Sequence, residues 1–223
     1  MASIFATTDD IHKWPHYLPI YESALAAFRS RPIRMLEIGV YLGGSLQMWR
    51  RYLHPESVIV GVDIDAECKR FDNPAEKVHV RVGGQQDTEF LGEVGAEFGP
   101  FDVILDDGSH MTSLMVETIR YLLFPNALVD GGIYIVEDIH SNYWTPHRDS
   151  VMSFVDFTKW LIDAMHAHYQ VTRSEFEFRV GDAHRRAGVT VPVATTLLER
   201  VEFYDSIAVV HRGRRELPCS VRR

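Results

Sequence analysis

FDVILDDGSH (Phe101–His110), MTSLMVETIRYLLFPNALVDGG (Met111–Gly132) and IYIVEDIHSNYW (Ile133–Trp144) follow one another without a break. The first and last each open on a short run rich in Val and Ile, too short for a helix. Phe101–Leu105 and Ile133–Val136 therefore read as buried parallel strands, and the segment between them has the length of a covering helix. A right-handed crossover of this kind places the carboxyl ends of both strands on one edge of the sheet. Asp106, Asp107, Glu137 and Asp138 then meet at one rim, each pair trailed by a histidine, His110 and His140. In open α/β sheets that rim is where ligands bind. Gathered carboxylates repel one another unless a cation or a proton intervenes, and a hard divalent ion with oxygen ligands is the natural remedy. The plainer alternative is that Asp-Gly-Ser turns the chain and Glu-Asp caps the next segment.

Upstream, Ile33–Ile38 reads as the first strand, with Glu37 near its end, and the Gly-rich turn GVYLGGS (Gly39–Ser45) opens the helix LQMWRRYL. A second strand, Val58–Val62, ends at Asp63. Strand, glycine turn, helix, strand and terminal acid form a nucleotide-type half-fold in which the acid accepts hydrogen bonds from ribose hydroxyls. The glycines are spaced GxxxGG and not GxGxxG, which disfavours a pyrophosphate and suits an adenosine ligand without phosphates. A third strand, Val78–Val82, leads into GGQQD, where Gln85 and Gln86 sit at a strand end and Asp87 or Thr88 caps the helix TEFLGEVGAEF.

The flanks are less definite. Residues 1–30 read as a polar entry and a helix, with the Pro-interrupted run HKWPHYLPIYE (His12–Glu22) packed as loop or closing over a ligand. Ser150–Tyr169 reads as a long amphipathic helix with Val151, Phe154, Val155, Leu161, Ile162 and Met165 on its apolar face, and with His166 and His168 at the surface. Residues 171–200 read as irregular chain or a weak strand. VEFYDSIAVVHRG (Val201–Gly213) reads as a strand pairing antiparallel at the sheet edge, followed by a frayed tail.

Length and composition set the class. With 223 residues and 46% hydrophobic content the expectation is one α/β domain, comprising an entry (1–30), a binding core (31–144), a helix with edge strands (145–212) and a tail (213–223). A net charge of −8 argues against nucleic acid as main partner. Cys68 and Cys219 form no CxxC pair, and no apolar run approaches the roughly 18 residues of a membrane span. A soluble cytoplasmic protein is expected, with homodimer as the default oligomer.

Taken together, EIGVYLGGS, GVDID, GGQQD, FDVILDDGSH, GGIYIVEDIHSNYW and FYDSIAVV resemble the class I S-adenosylmethionine-dependent methyltransferases. Within them the chain is most similar to the metal-dependent sugar O-methyltransferases that act on macrolide deoxysugars and to cephalosporin hydroxylase-like relatives. The resemblance implies a Rossmann-like, seven-stranded, mostly parallel sheet with a reversed C-terminal hairpin, and transfer of a methyl group from S-adenosyl-L-methionine to a sugar or oligosaccharide hydroxyl with Mg²⁺. The 1-hydroxyl of a methylmannoside is one candidate acceptor. It further implies that Glu37, Gly39 and Ser45 line the methionine and ribose side, that Asp63 binds the ribose, and that Gln85 and Asp106 lie near the adenine and sulfonium. Asp107, Glu137 and Asp138 correspond to magnesium ligands and His110 to the base, with His140 and His147 as rivals. The family usually has an acid where this chain has Gly84, so the adenine contacts of GGQQD are open. Tyr17, Tyr143 and Trp144 are candidate partners for a sugar ring. Other readings are a catechol-like diol as acceptor, a nicotinamide-dependent oxidoreductase, and a non-catalytic adenosyl- or sugar-binding module.

Overall fold

The computed structural model describes residues 1–124, 127–170, 178 and 190–221. Seven strands form one sheet: β1 (Arg34–Ile38), β2 (Val58–Asp63), β3 (Val78–Val82), β4 (Phe101–Asp106), β5 (Leu128–Val136), β6 (Leu198–Phe203) and β7 (Ala208–Arg212). Their spatial order is β3-β2-β1-β4-β5-β7-β6. The first five are parallel, with Ile38 beside Asp106 and Asp106 beside Val136. β7 pairs antiparallel with both β5 and β6. The order of strand addition reverses between β1 and β4, so the rim there opens into a crevice.

Alternate residues of the central strands enter two separate cores, which is why these strands read as continuous apolar runs. Met35, Ile59, Val103 and Ile135 pack with Trp49, Tyr21 and Leu25 on one face. Leu36, Val60, Ile104 and Tyr134 pack with Ile119, Leu122, Phe154 and Leu161 on the other. These helical residues come from α2 (Tyr17–Leu25), α3 (Gly44–Tyr52), α5 (Thr112–Leu123) and α6 (Phe154–Met165).

Several expectations need correction. His12–Glu22 is not all loop, because α2 begins at Tyr17. The Asp87 side chain accepts from Glu89 N and Phe90 N, which makes it the cap of α4 (Thr88–Phe98). The long C-terminal helix starts only at Phe154, where Ser153 and Asp156 form a capping box; Val151 lies ahead of the cap and is 99% exposed. His166 is exposed as expected, whereas His168 is buried. Val201–Gly213 is two strands, broken by a turn with Ser206 at φ 66°, and it is β6 that holds the edge. Most of 171–200 lies outside the described residues; within them a short helix, Val193–Leu197, precedes β6.

Candidate active site

β4 and β5 end in adjacent loops that hold each other. Asp107 N donates to Ile38 O at 2.9 Å and Glu137 N to Asp106 O at 2.9 Å, so both loops leave the sheet on backbone hydrogen bonds. The His110 carbonyl accepts from Ser141 Oγ and Asn142 Nδ2, each at 3.0 Å. His110 (φ 58°) and Asp138 (φ 53°) both adopt the left-handed region, a strained backbone for residues other than glycine that is concentrated at functional sites. The outcome is convergence: His110 Nε2 lies 3.9 Å from Asp107 Oδ1 and 3.8 Å from Asp138 Oδ2.

The four rim acids do not share one space. Asp106 is buried beneath the rim, near Tyr134 Oη at 3.3 Å and Gln85 Nε2 at 3.3 Å. Burial pushes its carboxyl up to about 7. Glu137 is also buried and points to Lys13, whose Nζ stands 2.8 Å from Glu137 Oε1 and is ion-paired to Asp107 Oδ2 as well. Burial and the Asp107 charge raise the Glu137 pKa, with Lys13 pulling the other way. Burial opposes the Lys13 charge too, but Asp107, Glu137 and Glu37 outweigh it, and the amine is held above the ordinary lysine range. Tyr21 Oη, buried beside Glu137, has no partner at hydrogen-bonding geometry.

This splits the expected ligand set. Asp107, His110 and Asp138 each present a ligand atom, all within 4.8 Å of one another, whereas Glu137 is engaged by Lys13. An octahedral Mg²⁺ with bonds near 2.1 Å spaces its ligands about 3 to 4 Å apart, so Asp107 and Asp138 could hold a divalent ion after slight contraction, with His110 beside it. His110 suits a neighbour of such an ion, since burial, opposed by Asp107 and Asp138, lowers its pKa and keeps the imidazole neutral. Asp138 is oriented by Tyr17 Oη, which donates to Oδ1 at 2.6 Å. Tyr17 is thus a fully buried support and not the ring-stacking surface expected.

Two cavities, of about 290 and 260 Å³, meet at Gly39, Asp63 and Gly108. The larger is lined by Ser45, Asp107, His110 and Asp138 together with Asp10, His12 and Lys13; the smaller by Gly83, Gly84, Gln85 and Gln86. They are suited in position and size to the two ends of an extended adenosyl ligand. Gly39 has φ 92°, and a Cβ there would collide with the Asp107 carbonyl. Asp63 Oδ2 accepts from Val40 N at 2.8 Å and Tyr41 N at 3.0 Å, and these bonds with that of Asp65 N outweigh burial and lower its pKa. It therefore shapes the glycine turn as well as facing the cavity.

Glu37 departs from expectation. It is fully buried below the cavity, receiving Ser45 Oγ at 2.9 Å and Trp49 Nε1 at 3.0 Å, so it supports the lining residue Ser45. The Gln85 amide is committed to Ser109 N at 2.7 Å, Thr118 Oγ1 at 3.1 Å and Asp106, bracing β3 to β4 while bordering the smaller cavity.

An aromatic rim flanks the His110 side. His140 lies edge-on between Trp14 (5.5 Å) and Trp144 (4.7 Å), and His147 stands 6.2 Å from His110. His140 Nδ1 is tied to Ser206 Oγ, so this rival base is restrained. Tyr143 and Trp144 are exposed, 68% and 52%, as a stacking surface requires. Trp14 and Lys13 escape notice in the sequence. Their partners lie about a hundred residues away, and the only signal is the density of side-chain chemistry in HKWPHYLP.

No family model matches the chain. Curated relatives do. The chain is 38% identical over 161 residues to the 8-demethyl-8-alpha-L-rhamnosyl tetracenomycin-C 2'-O-methyltransferase of Streptomyces olivaceus, covering 67% of this chain and 41% of that protein. It is 32% identical over 214 residues to the corresponding 3'-O-methyltransferase acting on the 2-methoxy-rhamnosyl compound of the same organism, covering 90% and 50%. The chain spans about half or less of the length of these relatives. Among solved structures, the MycE methyltransferase of the mycinamycin biosynthetic pathway, in complex with Mg and SAH, superposes with a TM-score of 0.77 at 26% identity, covering 96% of this chain and 53% of that one. The chain thus shares the fold of a methyltransferase, and the two curated relatives named here are sugar O-methyltransferases.

Proposed function

We propose that this protein transfers the methyl group of S-adenosyl-L-methionine to a hydroxyl of a sugar or oligosaccharide, with Mg²⁺ at the Asp107–Asp138 rim. The observation that carries the reading is the junction of a cavity at Gly39, Asp63 and Gly108 with an open Asp107, His110 and Asp138 trio. Two sugar O-methyltransferase relatives and a neighbour bound to Mg and SAH support it.

The donor supplies an electrophilic methyl on a cationic sulfonium, and a divalent ion supplies positive charge that holds and acidifies an acceptor hydroxyl. The chain's own residues do the rest. Asp63 and, on the support of Glu37, Ser45 line the cavity and would meet the ribose and methionine ends of the donor, while Gly39 keeps the turn close to the Asp107 loop. Asp107 and Asp138 hold the ion, Tyr17 fixes Asp138, and neutral His110 accepts the hydroxyl proton. Trp14 and Trp144 place half-exposed aromatic surface beside His140 that a pyranose ring could cover, and the sugar O-methyltransferase relatives favour a sugar over a catechol.

The glycine spacing and the small adjoining cavities favour an adenosyl ligand over a dinucleotide. A net charge of −8 and two free cysteines, one buried, accord with a cytoplasmic enzyme that takes a small-molecule or oligosaccharide substrate and not nucleic acid, and homodimer is the proposed assembly. Among the described residues no helix is long and apolar enough to cross a membrane.

The deciding experiment is labelled-methyl transfer over a panel of mono- and oligosaccharides, methylmannosides included, with catechols as controls, each with Mg²⁺ and with excess EDTA. Labelled sugar with Mg²⁺ alone is expected. Full transfer in EDTA, or catechol as the sole acceptor, refutes the reading.

A further inference from the structure

We propose that Lys13 is an internal occupant of the cation site: its ammonium and a divalent ion are alternatives, and loading the ion releases the segment that carries Lys13. The inference rests on the metal reading above and concerns what must happen for the ion to be held well.

As the side chains stand, an ion is offered Asp107 Oδ1, Asp138 Oδ2 and His110 Nε2. A hard cation prefers carboxylate oxygen to imidazole, and the missing carboxylate is at hand, since Glu137 immediately precedes Asp138. Lys13 Nζ takes that oxygen, 2.8 Å from Glu137 Oε1, and the second oxygen of Asp107 as well. The ammonium therefore occupies two of the three carboxylates that an all-carboxylate site would use. Two cations on one Asp107 carboxylate repel, and the buried Lys13 and Glu137 beside it leave little solvent to screen them.

The way in which Lys13 is mounted allows it to leave. Lys13 is only 9% exposed, yet among the described residues no turn or loop backbone hydrogen bond involves residues 9–13. The regular backbone bonding resumes at Tyr17 N, which donates to Trp14 O at 2.9 Å. Withdrawal thus breaks two ion pairs and no ladder, while Ile11 on the core and the Asp10–Ile11 backbone against Gly44 can stay as its anchor. It also frees a Glu137 oxygen close to the buried Tyr21 hydroxyl.

The consequence reaches the cofactor. Asp10, His12 and Lys13 form part of the wall of the 290 Å³ cavity, and Trp14 abuts His140 on the acceptor rim. Release of Lys13 moves the wall of one site and the rim of the other in a single step, so ion loading precedes productive binding of both organic ligands.

The test reads Lys13 directly. Wild-type protein is acetylated with an amine-reactive ester, with and without saturating Mn²⁺, and each lysine is quantified by mass spectrometry, exposed Lys69 and Lys159 serving as internal references. Lys13 is expected to be nearly inert without the ion and about tenfold more reactive with it, matching the fraction of chains in which it is displaced. By electron paramagnetic resonance of free Mn²⁺, Lys13→Met is expected to bind the ion about tenfold more tightly, its internal competitor gone. Glu137→Gln is expected to bind it about 10- to 100-fold more weakly. If Lys13→Met does not fold, the wild-type footprint and Glu137→Gln decide the matter alone. Mn²⁺ uptake with Lys13 still protected, or with Glu137→Gln unchanged in affinity, overturns this inference and leaves the metal reading standing. No uptake by wild type or by Lys13→Met removes both.

Discussion

Replacing Gly39 with alanine drives a carbon into the loop that carries Asp107. The new Cβ would overlap the Asp107 carbonyl oxygen, lying 2.8 Å from its carbonyl carbon and 3.2 Å from Gly108 Cα. Relief cannot come from Gly39 itself, because its N–H is fixed to Val62 O at 2.8 Å, nor freely from Asp107, whose N–H is fixed to Ile38 O. An L-residue at φ 92° adds about 1–2 kcal/mol of backbone strain, and overpacking against backbone adds about 1–3 kcal/mol. A loss of about 2–5 kcal/mol in a chain of this size lowers the melting temperature by roughly 4–20 °C. Circular dichroism melts measure that drop. Because the strain relaxes by pushing Asp107 outward, Mn²⁺ affinity is expected to fall in the surviving folded fraction at low temperature. A melting temperature within about 1 °C of wild type, with unchanged Mn²⁺ binding, would refute the claim that this glycine exists for close approach of β1 and β4.

Tyr17→Phe removes only the hydroxyl that orients Asp138, so Mn²⁺ affinity measured by titration calorimetry should fall by about tenfold while the melt stays cooperative. His110→Ala should lower turnover about 10²- to 10⁴-fold in methyl-transfer kinetics while leaving the affinity for S-adenosylhomocysteine near wild type; an undiminished rate would move the base to His140 or His147. Burial raises Glu37 from the ordinary 4.5 to about 7, against the pull of Lys13, Trp49 and Ser45, so the folded metal-free protein holds more protons than the unfolded chain between those values. Its stability should therefore fall as pH rises from 4.5 to 7, and denaturant melts across that range should show a shallower slope for Glu37→Gln. Trp144→Ala should raise KM for a sugar acceptor by roughly 2- to 10-fold without touching donor affinity, as read from initial rates.

The parts of the fold legible in the sequence are those set by local pattern. β2, β4 and β5 announce themselves because both faces of their carboxyl-end segments are buried, so apolar residues run up to the terminal acids, whereas β3 at the sheet edge alternates valine with His79 and Arg81. The antiparallel pair was harder: Val201–Gly213 has strand composition throughout, and only the Asp205–Ser206 turn divides it. Capping decided the start of α6, since Val151 is apolar enough to belong to the helix but stands outside the Ser153 box.

In the site, Asp107, His110 and Asp138 could be placed together because the crossover rule fixes which strand ends are neighbours. What the rule does not fix is which way a carboxylate turns. Glu137 and Glu37 turn inward because Lys13, and Ser45 with Trp49, offer buried donors there. Tyr17 turns toward Asp138 for the same reason. Such pairings between residues far apart in the chain leave no periodicity to read.

Ser206, in the turn between β6 and β7, reaches back to the His140 ring and accepts from His140 N at 3.2 Å, while Ile139 N donates to its carbonyl at 3.1 Å. The rim that follows β5 is thus fastened by a hairpin made more than sixty residues later. During synthesis on the ribosome, the glycine turn and the acids emerge well before their last fastening. A nascent chain of five strands has the parts of the rim without its final shape, and the protein acquires a working edge only when its last hairpin docks.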